Sequence, residues 1–337
     1  MAARSVDAEQ LRTQVSRIFE RLGLPEADGR VVADHLVEAD LRGVHSHGVI
    51  RVPAYVNACK AGRINPHPDI RIVSDRGGQV VVDGDNGIGQ LTAYRANEIA
   101  IERGWEHGMA GVALRRSNHC GTMAYYAIRA IRRGLIGFAT TNAGINMPPT
   151  GGARKLVGNN PFAMAVPTNR DWPMVLDMAT SVVAGGKLDV ARSKGEKIPL
   201  GWARDAEGNP TDDPARARDG SLEPLGGPKG YGMAVMLDVL AGVLAGGRFG
   251  AGLGAPGSGQ YFQTLDVARY QPLDQFKARM DELIDQIHAC PRLPGVERIY
   301  VPGEIEHGLQ QQRLREGVPI EESVMAQLDD LTRTLGA

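Results

Sequence analysis

The pattern of apolar and polar positions divides the chain into three stretches. Residues 8–22 and 25–40 carry apolar side chains at helical spacing and predict two amphipathic helices, followed by a helical or looped segment at 46–60. Residues 276–290 and 321–335 predict two more helices towards the other end of the chain. Because both ends have the same helical character, we expect them to pack together into one helical lobe.

Between the two ends the pattern changes to strands alternating with helices. Strands are predicted at 70–74, 79–83, 109–114, 136–141, 162–166 and 173–178, and helices at 91–107, 122–133 and 231–245. This alternation predicts an α/β lobe inserted into the helical one. We expect residues 185–222 to form a helix end followed by an irregular surface segment, and the glycine-rich residues 250–260 to form a mobile loop. The expected division is therefore 1–70 helical, 71–262 α/β and 263–337 helical.

The bulk composition narrows the class of protein. A chain of 337 residues exceeds what one compact core usually holds, so two lobes are expected. The formal charge of −1 gives no electrostatic reason to expect a nucleic acid or a membrane as partner. The three cysteines are too few for a disulfide framework, and no stretch has the pattern of a signal peptide or a membrane span. We expect a soluble, cytoplasmic protein.

The densest group of reactive side chains lies in residues 40–55. Reduction of a 2-oxo acid needs a cation for the carboxylate and a proton for the developing alkoxide. Arg51 could bind the carboxylate with its two-pronged guanidinium. His47 could supply the proton, because an imidazole titrates near neutral pH.

Two local structures are possible for this segment. If a helix begins near Ser46, then His47, Arg51 and Tyr55 recur every four residues and share one face. If the helix starts later, with Pro53 in its first turn, His47 lies in the lead-in loop and the argument from a shared face is weaker.

Other functions compete with this one. A single histidine is most often a structural residue. The pair His45 and His47, together with His119 and Asp177, could also hold a zinc ion in a metal-dependent hydrolase. A third possibility is a binding protein that kept the fold without the chemistry.

The glycine motifs argue against a Rossmann fold. Its Gly-x-Gly-x-x-Gly should follow the first strand of a βαβ unit. The run from Gly84 to Gly89 has the wrong spacing, and the glycines at 250–259 follow a helix. A dinucleotide could still bind where helix N-termini offer free amides to a phosphate.

Several isolated residues are candidates for such a site. Lys229, in the glycine-rich turn 226–232, could meet a phosphate or be an exposed lysine. Asp177, at a strand end, could cap the next turn, bind a ribose or orient a histidine. His119 lies at a predicted helix start, where the helix dipole would lower its pKa; it could polarise a carbonyl or act as a base.

Taken together, the segments resemble the non-Rossmann malate/L-lactate dehydrogenase family. Its members include ureidoglycolate dehydrogenase, 2,3-diketogulonate reductase, sulfolactate dehydrogenase and piperidine-2-carboxylate reductase. The matching segments, in order over nearly the whole chain, are 46–48 with Arg51 and Tyr55, 82–90, 117–121, 141–143, 158–161, 177–181, 229–232 and 302–304. Each is weak alone, but the ordered set is specific.

This resemblance implies the fold and the activity. It implies a homodimer that binds NAD or NADP on an unusual α/β lobe and reversibly reduces 2-oxo acids or related cyclic imines. His47 would be the proton donor and His119 a second acid or base, with Arg51 and Tyr55 facing the substrate carboxylate. The cofactor would be lined by Thr141, Asn142, Asp177, Met178, Ala179, Thr180, Ser181, Lys229, Gly230, Gly303 and Glu304. The chain departs from the family at Cys120 and Asn159, which leaves NAD and NADP both open.

Overall fold

The computed structural model describes residues 3–254 and 257–337. Its α-helices are α1 (Ala8–Glu20), α2 (Glu26–Leu41), α3 (Val52–Lys60), α4 (Gly89–His107), α5 (Ala124–Ala130), α6 (Gly185–Lys194), α7 (Pro214–Asp219), α8 (Pro228–Asp238), α9 (Leu273–His288), α10 (Glu304–Glu316) and α11 (Glu322–Leu335). Its strands are β1 (Ala3–Val6), β2 (Arg71–Arg76), β3 (Gln79–Asp83), β4 (Met109–Ser117), β5 (Leu135–Thr141), β6 (Ile145–Met147), β7 (Val157–Gly158), β8 (Phe162–Val166), β9 (Met174–Met178), β10 (Ala203–Arg204), β11 (Ser221–Leu222), β12 (Ser258–Asp266) and β13 (Val318–Glu321).

A seven-stranded sheet forms the centre of the fold, in the order β2-β3-β4-β12-β5-β8-β9. Only the β3–β4 pair among these neighbours is parallel, and the other five pairs are antiparallel. Strand β12 lies in the middle, where Phe262 pairs with Val112 on one side and with Ala139 on the other. Helices α4 and α5 pack on the sheet, and their alanines share a buried core with Phe262 and Tyr126. This is a mixed α/β fold, as the sequence predicted.

The two chain ends meet in space. Strand β1 pairs antiparallel with β13, and α1 packs against both α2 and α11. One buried cluster contains Leu11 and Phe19 from the start of the chain and Val318 and Leu328 from its end. The chain ends thus share one apolar core, as their common amphipathic pattern suggested.

Strand β12 corrects the expectations for the glycine-rich region. Residues 250–260 were expected to be a mobile loop, but Ser258 already lies in β12, and Gly250–Gly254 form a 3₁₀ turn. Residues 255 and 256 of the expected loop lie outside the described residues. The expected boundary at residue 262 falls inside β12, so the sheet continues to Asp266. Residues 258–266 do not alternate between polar and apolar side chains, because Tyr261 and Phe262 are adjacent and the buried face includes Gln260 and Thr264. The sequence therefore carries no strand pattern here.

The segment 185–222 is also more ordered than expected. It contains α6, α7 and the paired strands β10 and β11, which bury a small apolar cluster around Leu188, Ile198 and Leu222. Helix α10 was not expected from the sequence, and its single buried residue is Glu304. A helix without an apolar stripe has no periodic signal to detect. Among the described residues, no helix is long and apolar enough to cross a bilayer.

Candidate active site

A cavity of about 620 Å³ opens beside the carboxyl ends of β5 and β9. Its wall includes the segment after α2, the loop after β4, and the start of α10. The ionisable and charged side chains on this wall are Arg42, His47, Arg51, Cys120, His119, Asp177 and Glu306. This volume lies in the range of cofactor and small-molecule sites.

Two 3₁₀ turns, His45–His47 and Val49–Arg51, place the first of these side chains. Helix α3 starts only at Val52, with Pro53 in its first turn, so His47 lies in the lead-in segment. The buried Asp40 carboxylate accepts hydrogen bonds from the amide of Val49 and from His45 Nδ1, both at 2.8 Å. His45 is thereby held outside the cavity wall, whereas His47 lies on it.

Gly48, between the two turns, has no room for a side chain. A Cβ atom there would lie 2.2 Å from the Asp40 carboxyl group. The glycine lets the backbone pass close to Asp40, which in turn anchors the start of the second turn. This close approach fixes the segment that carries both His47 and Arg51.

Arg51 has its guanidinium held from one side only. Its Nε donates to the backbone oxygen of Ser46 at 2.6 Å. Within the part of the chain that the structure describes, no carboxylate forms an ion pair with Arg51, and the residue lies on the cavity wall. The terminal nitrogens are therefore available for a planar anion such as a carboxylate.

His47 and His119 lie side by side, with ring centroids 5.3 Å apart. Burial, assisted by the charge of Arg51, lowers the pKa of His47 to about 4. Burial and then the neighbouring His47 and Arg51 lower the pKa of His119 to about 3. These shifts favour the neutral form of both imidazoles while no anion is bound beside them. The expected cause for His119, a helix dipole, was wrong, because α5 begins only at Ala124 and burial dominates.

Tyr55 lies behind His119 and does not line the cavity. Its hydroxyl is 2.6 Å from His119 Nδ1 and accepts a hydrogen bond of 2.8 Å from the side-chain amide of Gln90. The expectation that Tyr55 faces the substrate carboxylate does not match this position. Tyr55 contacts the histidine that would touch the substrate.

Five of the residues expected to bind the cofactor line the cavity: Thr141, Asn142, Asp177, Met178 and Ala179. The Asp177 carboxylate accepts a hydrogen bond from the amide of Ala124 at 2.9 Å and so caps the N-terminus of α5. Burial raises the pKa of Asp177 to about 6, against the lowering effects of that amide and of Arg42. Asn142 is engaged internally: its amide donates to Asp238 and to the backbone of Arg248.

The other six expected cofactor residues lie off this wall: Thr180, Ser181, Lys229, Gly230, Gly303 and Glu304. Lys229 is exposed in the first turn of α8. Glu304 is buried and bound by His288 Nε2 at 2.9 Å and by Arg298. Burial alone would raise the pKa of Glu304, but hydrogen bonds from the Val301 amide and His288 lower it. Glu304 therefore holds α10 in place.

Gly303 serves the same end of α10. It adopts a left-handed φ of 87°, and a Cβ atom there would lie 2.9 Å from the backbone of Val175 on β9. Only glycine allows α10 to start this close to the sheet. Glu306, on the first turn of the helix, is thereby brought to the cavity wall.

Three residues on the wall were missed from the sequence: Arg42, Asn146 and Glu306. Arg42 is 8% exposed, and its charge favours the ionised form of Asp177. Asn146 carries a buried Oδ1 that finds no hydrogen-bond partner among the described residues. Arg42 lies within the reactive stretch 40–55 and Glu306 follows the matched segment 302–304, but their orientation depends on tertiary packing.

Comparison with known proteins identifies the family of the chain. A family model described as malate/L-lactate dehydrogenase matches residues 6–329. The chain belongs to the malate/L-lactate dehydrogenase family.

Members of the family resemble the chain over nearly its full length. Malate dehydrogenase from Pyrococcus horikoshii is 39% identical over 344 residues, covering 98% of this chain and 95% of that protein. L-sulfolactate dehydrogenase from Methanocaldococcus jannaschii is 39% identical, covering 95% and 94%. Ureidoglycolate dehydrogenase (NAD(+)) from Escherichia coli O157:H7 is 33% identical, covering 95% and 93%.

Solved structures extend the similarity to the fold. The malate dehydrogenase structure from Pyrococcus horikoshii OT3 has a TM-score of 0.91 at 36% identity, covering 99% of this chain and 96% of that one. The delta1-piperideine-2-carboxylate reductase from Pseudomonas syringae pvar. tomato has a TM-score of 0.88 at 28% identity, covering 97% and 99%.

The predicted family and its oxidoreductase class are thus confirmed. The metal-dependent hydrolase alternative is wrong, and the position of His45 outside the cavity agrees with this.

Proposed function

We propose that this family member transfers hydride reversibly between NAD or NADP and a 2-oxo acid/2-hydroxy acid pair. The observation that carries the proposal is the shared cavity wall of His47, His119 and Arg51. It combines two imidazoles with a guanidinium whose terminal nitrogens form no ion pair among the described residues. Reduction of a 2-oxo acid needs a cation for the carboxylate and a proton donor for the carbonyl oxygen, and these groups can supply both.

The residues on the cavity wall have separate roles in the proposed reaction. Arg51 binds the substrate carboxylate and so fixes the direction of the adjoining carbonyl. A substrate carboxylate bound beside His47 favours the protonated imidazole. Protonated His47 then gives its proton to the carbonyl oxygen as that oxygen becomes an alkoxide, and His119 is a second acid or base beside it. A bound nicotinamide supplies hydride chemistry, which no side chain can provide.

The polar wall of the cavity fits a nicotinamide dinucleotide. Asn146 Oδ1, which has no hydrogen-bond partner in the described part of the chain, is an acceptor suited to a ligand amide. Asp177 and Glu306 are acceptors suited to ribose hydroxyls. Thr141, Asn142, Met178 and Ala179 complete this side of the wall. Thr180, Ser181, Lys229, Gly230, Gly303 and Glu304 remain in the proposed cofactor set as residues that support or extend it.

Reduction of a cyclic imino acid on the same fold is the second candidate. The similarity to delta1-piperideine-2-carboxylate reductase favours it. The required groups are the same, because an imine beside a carboxylate also needs a cation and a proton donor. An activity assay with both 2-oxo acids and cyclic imino acids distinguishes a carbonyl substrate from an imine substrate.

We also propose that two copies of the chain form a homodimer. The exposed side of α8, and of the π-helical segment Val239–Val243 that continues it, carries large apolar side chains. They are Met233, Met236, Val239 and Val243, joined by Leu244 and Phe249 in the turn and loop that follow. An apolar surface of this kind is typical of a site that is covered by a partner. Within each copy we keep the division into a helical lobe from both ends and an inserted α/β lobe.

The test is the loss of nicotinamide absorbance when NADH, then NADPH, is mixed with the protein and a panel of 2-oxo acids and cyclic imino acids. We expect oxidation of one reduced dinucleotide with at least one 2-oxo acid. Turnover with imino acids alone would favour the second candidate. Absence of turnover together with absence of dinucleotide binding would overturn the proposal, and binding without turnover would favour a protein that kept only the fold.

A further inference from the structure

Two buried polar side chains, Gln90 and Tyr55, are linked by hydrogen bonds to His119, which faces the cavity. Gln90 is 0% exposed and Tyr55 is 6% exposed. The Gln90 amide nitrogen lies 2.8 Å from the Tyr55 hydroxyl, and that hydroxyl lies 2.6 Å from His119 Nδ1. Of these three side chains, only His119 lies on the cavity wall. Its ring links the buried polar groups to whatever binds there.

The directions of the two hydrogen bonds follow from counting donors and acceptors. The Tyr55 oxygen accepts from Gln90, so its own proton needs another acceptor. Among the described residues, His119 Nδ1 is the acceptor within hydrogen-bonding distance. A buried hydroxyl proton without an acceptor would be costly, so the proton points at Nδ1.

The opposite orientation of the Gln90 amide is less favourable. Gln90 Oε1 has no hydrogen-bond partner among the described residues. If the amide were reversed, its NH₂ group would lie where Oε1 now lies. Both N–H groups would then have no hydrogen-bond partner among the described residues. Unpaired buried N–H groups are rarer in proteins than unpaired carbonyl oxygens.

We propose that Gln90 and Tyr55 hold neutral His119 in the tautomer that carries its proton on Nε2. His119 then presents a hydrogen-bond donor to the cavity and polarises the carbonyl oxygen of the substrate. Tyr55 and Gln90 are positioning residues in this arrangement. The tautomer is a property of the protein without a substrate. Its role in polarising a substrate carbonyl rests on the proposed function.

The proton balance separates the roles of the two histidines. Hydride from a bound reduced nicotinamide would add to the carbonyl carbon as the C=O π bond breaks. The oxygen takes a proton from the protonated form of His47, which is left neutral and regains a proton from solvent. His119 and Tyr55 keep their protons throughout. Burial raises the pKa of Tyr55 well above its usual value, so this hydroxyl holds its proton rather than passing it on.

The first experiment reads the tautomer directly in the free protein. Histidines are labelled with ¹⁵N, and NMR shifts distinguish protonated from unprotonated ring nitrogens. His119→Gln assigns the signals by their loss. We expect His119 to be protonated at Nε2 and not at Nδ1. Protonation at Nδ1 in the wild-type protein would overturn the proposal, whether or not the protein turns over any substrate.

A second variant tests the cause of the tautomer. In Gln90→Glu the carboxylate accepts a hydrogen bond from the Tyr55 hydroxyl. The Tyr55 oxygen then accepts a hydrogen bond from an N–H at His119 Nδ1. We expect the His119 proton to move to Nδ1, with the signals of His47 unchanged. An unchanged His119 tautomer in this variant, with the carboxylate ionised, would contradict the role of Gln90.

Kinetics then separate positioning from substrate binding. Tyr55→Phe keeps the ring but frees His119, and we expect kcat to fall by up to about 10²-fold with KM for the 2-oxo acid nearly unchanged. Tyr125→Phe is the matched control, because Tyr125 is also 6% exposed but bonds Asp34 away from the cavity. A rise in KM with unchanged kcat would instead mean that Tyr55 binds the carboxylate.

Discussion

His47 and Arg51 illustrate how a short segment sets up a reaction without a regular helix. They lie in successive 3₁₀ turns, and Gly48 between them packs against Asp40. The buried carboxylate holds both turns, so the two side chains keep a fixed relation to each other. Their chemistry can be tested one residue at a time.

His47→Ala should lower kcat by about 10²–10⁴-fold, because general acid catalysis contributes that range. Dinucleotide affinity should stay close to the wild-type value, since His47 is assigned to the substrate oxygen. Steady-state kinetics and a fluorescence titration with NADH measure the two effects. His107→Ala is the control, because His107 is exposed at the end of α4 and outside the cavity. Wild-type turnover in His47→Ala would remove His47 from the mechanism.

Arg51→Lys should raise KM for the 2-oxo acid by about 10- to 100-fold, which corresponds to the loss of a charge-assisted hydrogen bond. An ammonium keeps the charge but cannot bind both carboxylate oxygens while it also holds the Ser46 backbone. The change should leave kcat at saturating substrate much less affected. Arg17→Lys, at an exposed arginine on α1 outside this cavity, should have no effect. A fall in kcat alone would mean that Arg51 acts in the transition state instead.

Much of the candidate site was predictable from residue types at this scale. His47, Arg51 and His119 were singled out by chemistry, and the structure brings them onto one wall. The position of Tyr55 behind His119 was not predictable, because it depends on which way a buried ring points. The same holds for Glu306, whose place depends on the start of α10 against β9.

At the scale of elements, the predictability of each one followed its apolar pattern. Helices α1, α2, α4 and α11 have strong stripes or long apolar runs and were found within a few residues of their bounds. Helix α10 and strand β12 were missed, since one lacks an apolar face and the other follows a glycine-rich stretch. Neither element has a local sequence pattern that predicts it, because both are stabilised by contacts distant in sequence.

The shared core of the chain ends leads to a stability prediction for α11. Leu328 is fully buried in the cluster that includes the N-terminal helices. Leu328→Ala should lower the free energy of unfolding by about 2–5 kcal/mol, through lost apolar burial and the cavity left behind. Leu314→Ala on α10, where the side chain is 49% exposed, should change it by less than about 0.5 kcal/mol. Urea denaturation measures both, and equal effects would mean that α11 does not stabilise the shared core.

At the scale of the whole molecule, the exposed apolar side of α8 is the surface that we expect a second copy of the chain to cover. The apolar side of α8 and its π-helical continuation is exposed, with Met236 at 60% and Leu244 at 54%. The same helix presents Asp238 inwards, where it binds Asn142 at the carboxyl end of β5. A partner on this helix would therefore touch the framework of the cavity wall as well as covering the apolar face. Assembly and activity are expected to be linked through Asp238 and Asn142.

Met236→Lys tests this assembly. In a two-fold interface the substitution occurs twice, so two charges would be placed in one apolar contact. We expect the wild-type chain to have the mass of a dimer by light scattering coupled to size-exclusion chromatography, and the variant to have the mass of a monomer at the same concentration. Leu314→Lys carries the same charge on a solitary exposed leucine and should remain dimeric. A monomeric wild-type protein, or a dimeric Met236→Lys, would mean that this face is not the interface. If the link through Asp238 holds, the monomeric variant also loses turnover while Leu314→Lys keeps it, because only the first disturbs the helix that supports Asn142.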